Sequence, residues 1–373
     1  MNLTHRAMKR IIISGGGTGG HIFPAISIAD ALKRSGTECE ILFVGAIGKM
    51  EMERVPKAGY KIVGLPVAGL QRSLSLKNLL LPFKVAESVR RARKIVREFK
   101  PDVAVGVGGY ASAPMLMAAS RMHVPCLIQE QNSFAGLTNK KLGSRVEKIC
   151  VAYDGMERFF PAEKIIFTGN PLREGINPPT EAQRKEGYEY YGLDPQKRTL
   201  FVVGGSLGAR TLNESVQKWI MEKGAAADYQ VLWQSGKYYK DEIEAFLKEH
   251  PCANVKNFTF IDRMDLAYAV ADVIVSRAGA GTISELCVTG KATIFVPSPN
   301  VAEDHQRHNA MALVEKDAAM MVLDADARAQ LMETAERLLS DPEKIAAMER
   351  NILKLGKKSA ADDIAAEVLK LCK

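Results

Sequence analysis

Glu285 lies in the run Ser276-Arg277-Ala278-Gly279-Ala280-Gly281-Thr282-Ile283-Ser284-Glu285-Leu286, where glycines open an expected helix and a carboxylate follows within its first turns. Such an acid can accept hydrogen bonds from both hydroxyls of a ribose while the helix's first backbone N–H groups face phosphate. An acid near a helix N-terminus is also favourable by itself, by about 0.3–1 kcal/mol, so the motif alone leaves both readings open. Related chemistry recurs elsewhere. Gly15-Gly16-Gly17-Thr18-Gly19-Gly20-His21 follows the β-branched stretch Ile11-Ile12-Ile13, and Gly204-Gly205-Ser206-Leu207-Gly208 follows Leu200-Phe201-Val202-Val203. A strand that turns through glycine into a helix aims free N–H groups and the positive end of the helix dipole at one point, which suits a phosphate. Two polar loops add groups able to read sugar hydroxyls. They are Gln129-Glu130-Gln131-Asn132 and Glu303-Asp304-His305-Gln306-Arg307-His308-Asn309, each at the carboxyl end of an expected strand, where α/β sheets bind ligands.

The elements that must position these groups come in two similar sets. Pro101-Asp102-Val103-Ala104-Val105 leads through Gly106 and Gly109 to a small-residue helix and the strand Val124-Pro125-Cys126-Leu127-Ile128. Ala271-Asp272-Val273-Ile274-Val275 likewise leads through Gly279-Ala280-Gly281 to a helix and the strand Ala292-Thr293-Ile294-Phe295-Val296. The expected fold class is therefore α/β, with two Rossmann-like domains facing a cleft. The proline- and glycine-rich stretch from Thr168 to Thr180 is the expected linker. The expected domains are 1–169 and 170–354, with a last helix, about 355–373, lying back on the first.

Composition narrows the class. A chain of 373 residues, 47% of them hydrophobic, fills two cores and not one. The six cysteines, at 39, 126, 150, 252, 287 and 372, form no C-x-x-C pair and read as buried thiols in a reducing cytosol. No apolar run reaches the roughly 18 residues of a membrane span, and no signal peptide is expected. The net charge of +8 is concentrated between Arg72 and Lys100, with nine basic residues against two acidic ones. That segment joins a loop carrying Leu79-Leu80-Leu81-Pro82-Phe83 to a helix with apolar positions at Val85, Val89, Ala92, Val96 and Phe99. One reading is a core-packed helix with a solvated basic face. The other is a surface for anionic headgroups, with Arg72, Lys77 and Lys84 as the charges and Leu80, Leu81 and Phe83 dipping into the interface. Nucleic acid is not expected, because aromatic residues are not interleaved with the charge.

Gly15-x-Gly17-x-x-Gly20 matches the dinucleotide fingerprint in letters. A nicotinamide site needs an acid at the end of the following strand, yet Ile41-Leu42-Phe43-Val44 ends in Gly45-Ala46, and Glu40 precedes it. A P-loop is excluded by the absence of G-K-[ST]. No cluster has metal-ligand spacing, and no cofactor is expected.

With these residues in hand, the chain resembles the MurG family of peptidoglycan glycosyltransferases. The matching motifs are Gly15 to Pro24, Gly106 to Ala111, Glu130-Gln131-Asn132 with Gly136 and Asn139, and Gly169-Asn170-Pro171 with Arg173. Further on they are Gly204-Gly205-Ser206 with Gly208-Ala209-Arg210, Ser276 to Glu285, and Asp304 to Asn309. The chain departs from the family pattern at Leu207, where glutamine is common, at Gln129, where histidine is frequent, and at Ala135, where proline is frequent.

The resemblance implies a two-Rossmann GT-B fold. It also implies inverting transfer of N-acetylglucosamine from UDP-N-acetylglucosamine to undecaprenyl-pyrophosphoryl-N-acetylmuramoyl-pentapeptide at the cytoplasmic face of a bacterial membrane. Its donor contacts would be Thr18, Gly19, Gly20, Asn132, Arg173, Ser206, the backbone of Ile261 near uracil, Glu285 on ribose and Gln306 on the sugar.

Such a reaction needs a base for the acceptor hydroxyl. His21, at the mouth of the first turn, is one expectation and Glu130 its rival; a third reading has His21 only hydrogen-bonding the loop or the acceptor's pyrophosphate. The other function classes are a nicotinamide oxidoreductase, a membrane-associated sensor of UDP-sugars and, among glycosyltransferases, a glycolipid-making relative.

Overall fold

The computed structural model describes residues 8–67 and 81–372, and for 81–85 and 302 the backbone only. The chain divides into two compact units, Met1–Glu174 with Lys357–Lys373, and Gly175–Gly356.

In the first unit the described strands are β1 (Lys9–Ser14), β2 (Cys39–Ala46), β3 (Lys61–Leu65), β4 (Val103–Gly106), β5 (Cys126–Glu130), β6 (Lys148–Val151) and β7 (Ile165–Phe167). They form a parallel sheet in the order β3-β2-β1-β4-β5-β6-β7. In the second unit the strands are β8 (Thr199–Val203), β9 (Gln230–Gln234), β10 (Val255–Phe258), β11 (Val273–Ser276), β12 (Thr293–Phe295) and β13 (Met320–Met321). Their order, β10-β9-β8-β11-β12-β13, repeats the same winding. Each sheet reverses direction beside its first strand, between β1 and β4 and between β8 and β11, and crevices for ligands open at such points.

The strands read as continuous apolar runs because both faces of each sheet are covered. Ile11 and Ile13 pack on one side of the first sheet with Ile28 and Leu32, while Ile12 packs on the other with Met115 and Leu116. The helix Ala360–Leu371 contributes Ile364, Ala365 and Val368 to the first of these clusters, which is why the end of the chain belongs to the first unit. The division between units falls at residue 174, five residues after the expected boundary. The linker's start is tied to the first sheet: Asn170 bonds Gln129 and the Gln131 carbonyl, and Arg34 pairs with Glu174 at 2.8 Å.

Two further expectations are refined. Cys126, Cys150 and Cys287 are buried, whereas Cys39, Cys252 and Cys372 are only partly so, and all six are free thiols. Burial pushes the thiols of Cys126, Cys150 and Cys287 up to about 12. The basic helix is Leu81–Phe99. It buries Ser88, Val89, Ala92 and Val96 and exposes Arg90, Arg91, Arg93, Lys94 and Arg97, so a core-packed face and a charged face coexist on it. No described helix is long and apolar enough to cross a membrane.

Candidate functional site

Each unit gathers polar groups at the carboxyl ends of its strands, and each gathering is built from its own sheet. In the first unit β1 turns through Gly15 to Thr18 into the helix Gly19–Arg34. Thr18 and Gly20 are exposed and Gly19 is half-buried, while the Thr18 carbonyl accepts from the N–H groups of His21 and Ile22. Glu51 lies beneath this turn. Its carboxylate, 1% exposed, accepts the Gly17 N–H at 2.9 Å and the Ala46 N–H at 2.9 Å. With the Gly15 N–H on the Val44 carbonyl and the Gly16 N–H on the Gly108 carbonyl, three of the N–H groups expected to face an outside anion are thus committed within the fold. The turn's capacity for phosphate rests on the residues after it.

Across the switch point, β5 ends at Glu130, and the loop beyond it closes around that side chain. Glu130 Oε1 accepts the Asn132 N–H at 3.0 Å and its side-chain amide at 3.3 Å. Oε2 accepts the Gly136 N–H at 3.2 Å and the Asn139 amide at 2.8 Å. The carboxylate is 2% exposed. A two-oxygen acceptor holding four donors is a fastening for residues 130–139. His21 meets the same loop through Nδ1, 3.0 Å from Oε1 of Gln131. His21, Glu130 and Asn132 are therefore brought together, with Thr18, Gly19 and Gly20 at the foot of the His21 helix. Arg173 is exposed in the loop that ends the unit. It lines a charged pocket of about 290 Å³ with Asp30, Lys33, Arg34 and Glu174. Arg72, Lys77 and Leu80 lie outside the described residues, and Leu81, Phe83 and Lys84 stand in the first turn of the basic helix with only their backbone described.

In the second unit Ser206 is exposed in the turn between β8 and the helix Arg210–Glu222. Gly208 and Gly236, both at positive φ, allow this turn and the one after β9 to pack backbone against backbone. A Cβ on Gly236 would stand 2.1 Å from the Gly208 nitrogen. Gln234, at the end of β9, donates to the Gly205 carbonyl at 2.9 Å and accepts the Ile261 N–H at 2.8 Å. The Ile261 N–H is therefore used inside the protein. Arg263, two residues on, forks onto both oxygens of Asp265 and pairs with Glu186, fixing this loop; its hydrogen bond holds the Asp265 carboxyl below the ordinary range.

Glu285 stands in the second turn of the helix Ala280–Thr289, half-buried, where the Tyr268 hydroxyl donates to its Oε2 at 3.0 Å. Arg277, in the turn before that helix, holds the end of β12 through the Val296 carbonyl at 3.0 Å and pairs with Asp324. Gln306 opens the helix His305–Val314. Its Oε1 accepts the Ser298 N–H at 2.9 Å, which turns its amide nitrogen away from that loop. The two residues before the helix, Glu303 and Asp304, have φ of 54° and 49°. Such left-handed conformations are uncommon outside glycine and cluster where a loop must aim a side chain. Ser206, Ile261, Glu285 and Gln306 thus follow β8, β10, β11 and β12, all at one end of the second sheet. Sequence reasoning missed Glu51, Gln234, Tyr268 and Arg277, the residues that hold these groups in place.

The comparisons with known proteins agree with one another. The profile of the glycosyltransferase family 28 N-terminal domain matches residues 11–151, and that of the family 28 C-terminal domain matches residues 199–366. The chain is 54% identical over 362 residues to the UDP-N-acetylglucosamine–N-acetylmuramyl-(pentapeptide) pyrophosphoryl-undecaprenol N-acetylglucosamine transferase of Parabacteroides distasonis, covering 97% of this chain and 98% of that protein. The protein of the same name from Porphyromonas gingivalis is 50% identical over 371 residues, covering 99% and 97%. Among solved structures, Acinetobacter baumannii MurG superposes with a TM-score of 0.80 at 27% identity, covering 97% of this chain and 99% of that one. The kitacinnamycin glycotransferase, at 15% identity and a TM-score of 0.71, shares the fold. The two units are Rossmann-like domains of the GT-B class.

Proposed function

The chain belongs to glycosyltransferase family 28, and on that footing we propose that it transfers N-acetylglucosamine from UDP-N-acetylglucosamine to the 4-hydroxyl of undecaprenyl-pyrophosphoryl-N-acetylmuramoyl-pentapeptide. The observation that carries this reading is near-complete alignment, 54% identical over 97% of the chain, with a protein whose name states that reaction. The nicotinamide alternative finds no support at the end of β2, since the first acid beyond that strand, Glu51, is buried and spent on two backbone N–H groups.

In this reading the second unit holds the donor. Glu285, steadied by Tyr268, accepts from the ribose hydroxyls. The Ile261 carbonyl faces uracil, and the Gln306 amide donates to the sugar. Ser206, Arg173, Asn132 and the N–H groups of Thr18, Gly19 and Gly20 complete the donor contacts. Hydrogen-bond donors and helix N-termini of this kind stabilise the charge that develops on a departing diphosphate. Transfer inverts the anomeric centre by in-line attack of the muramoyl hydroxyl. The base is His21: what favours it over Glu130 is that the Glu130 carboxylate is buried and already holds four donors of its own loop.

The acceptor's prenyl tail gives the basic segment a purpose. We infer that the enzyme is peripheral to the cytoplasmic face of the membrane, with Arg72, Lys77 and Lys84 towards anionic headgroups and Leu80, Leu81 and Phe83 at the interface. The exposed cations of the Leu81–Phe99 helix support this. Charge reversal at Arg72, Lys77 and Lys84 is expected to weaken co-sedimentation with anionic vesicles, and unchanged sedimentation would remove the electrostatic anchor.

The test of the activity is radiolabel transfer from UDP-N-acetylglucosamine to the muramoyl lipid, with UDP-glucose and diacylglycerol as the control pair. Absence of label in the lipid product, or label in diacylglycerol, overturns the assignment.

A further inference from the structure

We infer that Gln131 is the positioning residue for His21: it fixes the imidazole as the Nδ1–H tautomer, so that Nε2 carries the lone pair that takes the proton of the acceptor hydroxyl. The inference deepens the reading of His21 as base and rests on it.

The argument is one of hydrogen-bond polarity, anchored at two backbone carbonyls that can only accept. The side-chain amide of Gln131, 2% exposed, lies 2.8 Å from the carbonyl oxygen of Val107. Whatever atom of Gln131 faces that oxygen must donate, so it is Nε2, and Oε1 must turn to His21 Nδ1 at 3.0 Å. The second anchor gives the same answer independently. Asn170 places its amide nitrogen 3.0 Å from the Gln131 carbonyl, so Asn170 Oδ1 accepts from Gln129 Nε2 at 3.0 Å. Gln129, wholly buried, then has only Oε1 to offer Gln131, and that oxygen accepts from Gln131 Nε2. Both chains leave Gln131 Oε1, an acceptor, against the ring.

An imidazole nitrogen facing an acceptor carries the proton, and in the neutral ring the other nitrogen is then the base. Gly108 keeps the ring in this place: at φ +91°, a Cβ there would stand 2.8 Å from both Cε1 and Nδ1 of His21. In the transfer the acceptor oxygen forms its bond to the anomeric carbon while the bond from that carbon to the diphosphate breaks. The electron pair leaves with UDP, and the hydroxyl proton passes to Nε2. The opposite tautomer would present an N–H to the hydroxyl and could not receive that proton.

Nitrogen-15 histidine labelling of the full chain, read by long-range proton–nitrogen correlation above the pH at which the ring is neutral, reports the tautomer directly. The His21 signal is identified by its loss in His21→Gln. The expected result is a protonated Nδ1 and an unprotonated Nε2 in the unaltered protein. Gln131→Met, similar in shape but without polar groups, should shift the signal towards the other tautomer and lower kcat roughly 10–100-fold. KM for UDP-N-acetylglucosamine should stay within about twofold. An unaltered protein with the proton on Nε2 overturns the inference without any variant having to fold, as does a Gln131→Met protein with unchanged tautomer and turnover. Near-normal turnover in His21→Gln would instead overturn the base reading, whatever tautomer Gln131 imposes.

Discussion

Asp102 and Asp272 hold corresponding places in the two sheets: each immediately precedes the strand beside the switch point, and each accepts a backbone N–H from the neighbouring first strand at 2.7 Å. The donors are Arg10 in β1 and Thr199 in β8. The duplication of the fold therefore extends to the side chain that sets the register of each central strand pair. Asp272 does more than its counterpart, since its other oxygen pairs with Arg184 at 3.0 Å. Replacing either by alanine orphans a backbone N–H at the start of a strand, at a cost of about 1–3 kcal/mol. Urea denaturation should find Asp272→Ala the more damaging of the two, and equal midpoints would contradict the assignment.

Glu51 predicts a similar loss for a different reason. Its removal leaves the Gly17 and Ala46 N–H groups unsatisfied and opens space under the first glycine turn. Glu51→Ala should thus cost about 2–4 kcal/mol. Glu51→Gln, which keeps one acceptor, should cost less. Denaturant midpoints for the pair distinguish a fold anchor from a surface acid, which would show neither loss.

In the proposed reading, Tyr268 bears on the donor alone. Tyr268→Phe removes the hydroxyl that holds Glu285 while leaving the packing of the ring against Phe201. A hydrogen bond to a charged group contributes about 1.5–3 kcal/mol, so KM for UDP-N-acetylglucosamine should rise roughly tenfold or more. Turnover at saturating donor should change little, and steady-state kinetics read both. An unmoved KM would separate Glu285 from the ribose.

The buried thiols make the fold sensitive to alkali. Burial raises Cys126, Cys150 and Cys287 to about 12 from an ordinary 9.0. The unfolded chain therefore loses these protons first, so their contribution to stability is complete below about pH 9 and falls as the pH climbs towards 12. Each thiol weakens the fold by up to about 1.4 kcal/mol per pH unit in that window. Urea midpoints at pH 8 and pH 10.5 should differ, and Cys150→Ala should shrink the difference. At pH 8 the native protein should leave these three thiols unlabelled by a disulfide reagent, and rapid labelling of all six would refute their burial.

The doubling of the fold was legible because it is written in local chemistry. Glycines at 15–20, 106–109, 204–208 and 279–281 follow β-branched or apolar strands, and each stands at the carboxyl end of a strand of one of two parallel sheets. Glu285 stood out as an acid in the first turns of a glycine-opened helix, and Gln306 as part of a polar loop beyond a strand. What sequence could not give was the hydrogen-bond occupancy of a carboxylate. Glu130 looked as available as His21 until four donors from its own loop were found around it, and Glu51 looked like an ordinary helix acid although it fills the first turn. Tyr268, Gln234 and Gln131 act on partners far along the chain or across strands, where periodicity records burial but not the direction of a donor.

The return of the helix Ala360–Leu371 to the first unit carries a consequence for synthesis. Ile28 and Leu32 leave the ribosome early, but Ile364 and Val368, which share their cluster, emerge only after the whole of residues 175–356. At about 5–20 residues per second that interval is roughly ten to forty seconds. Throughout it the nascent amino-terminal half presents an oily stripe with no lid. Premature termination between residues 356 and 360 would release a polypeptide whose second unit is finished and whose first unit, lacking that helix, is a substrate for chaperones and proteases.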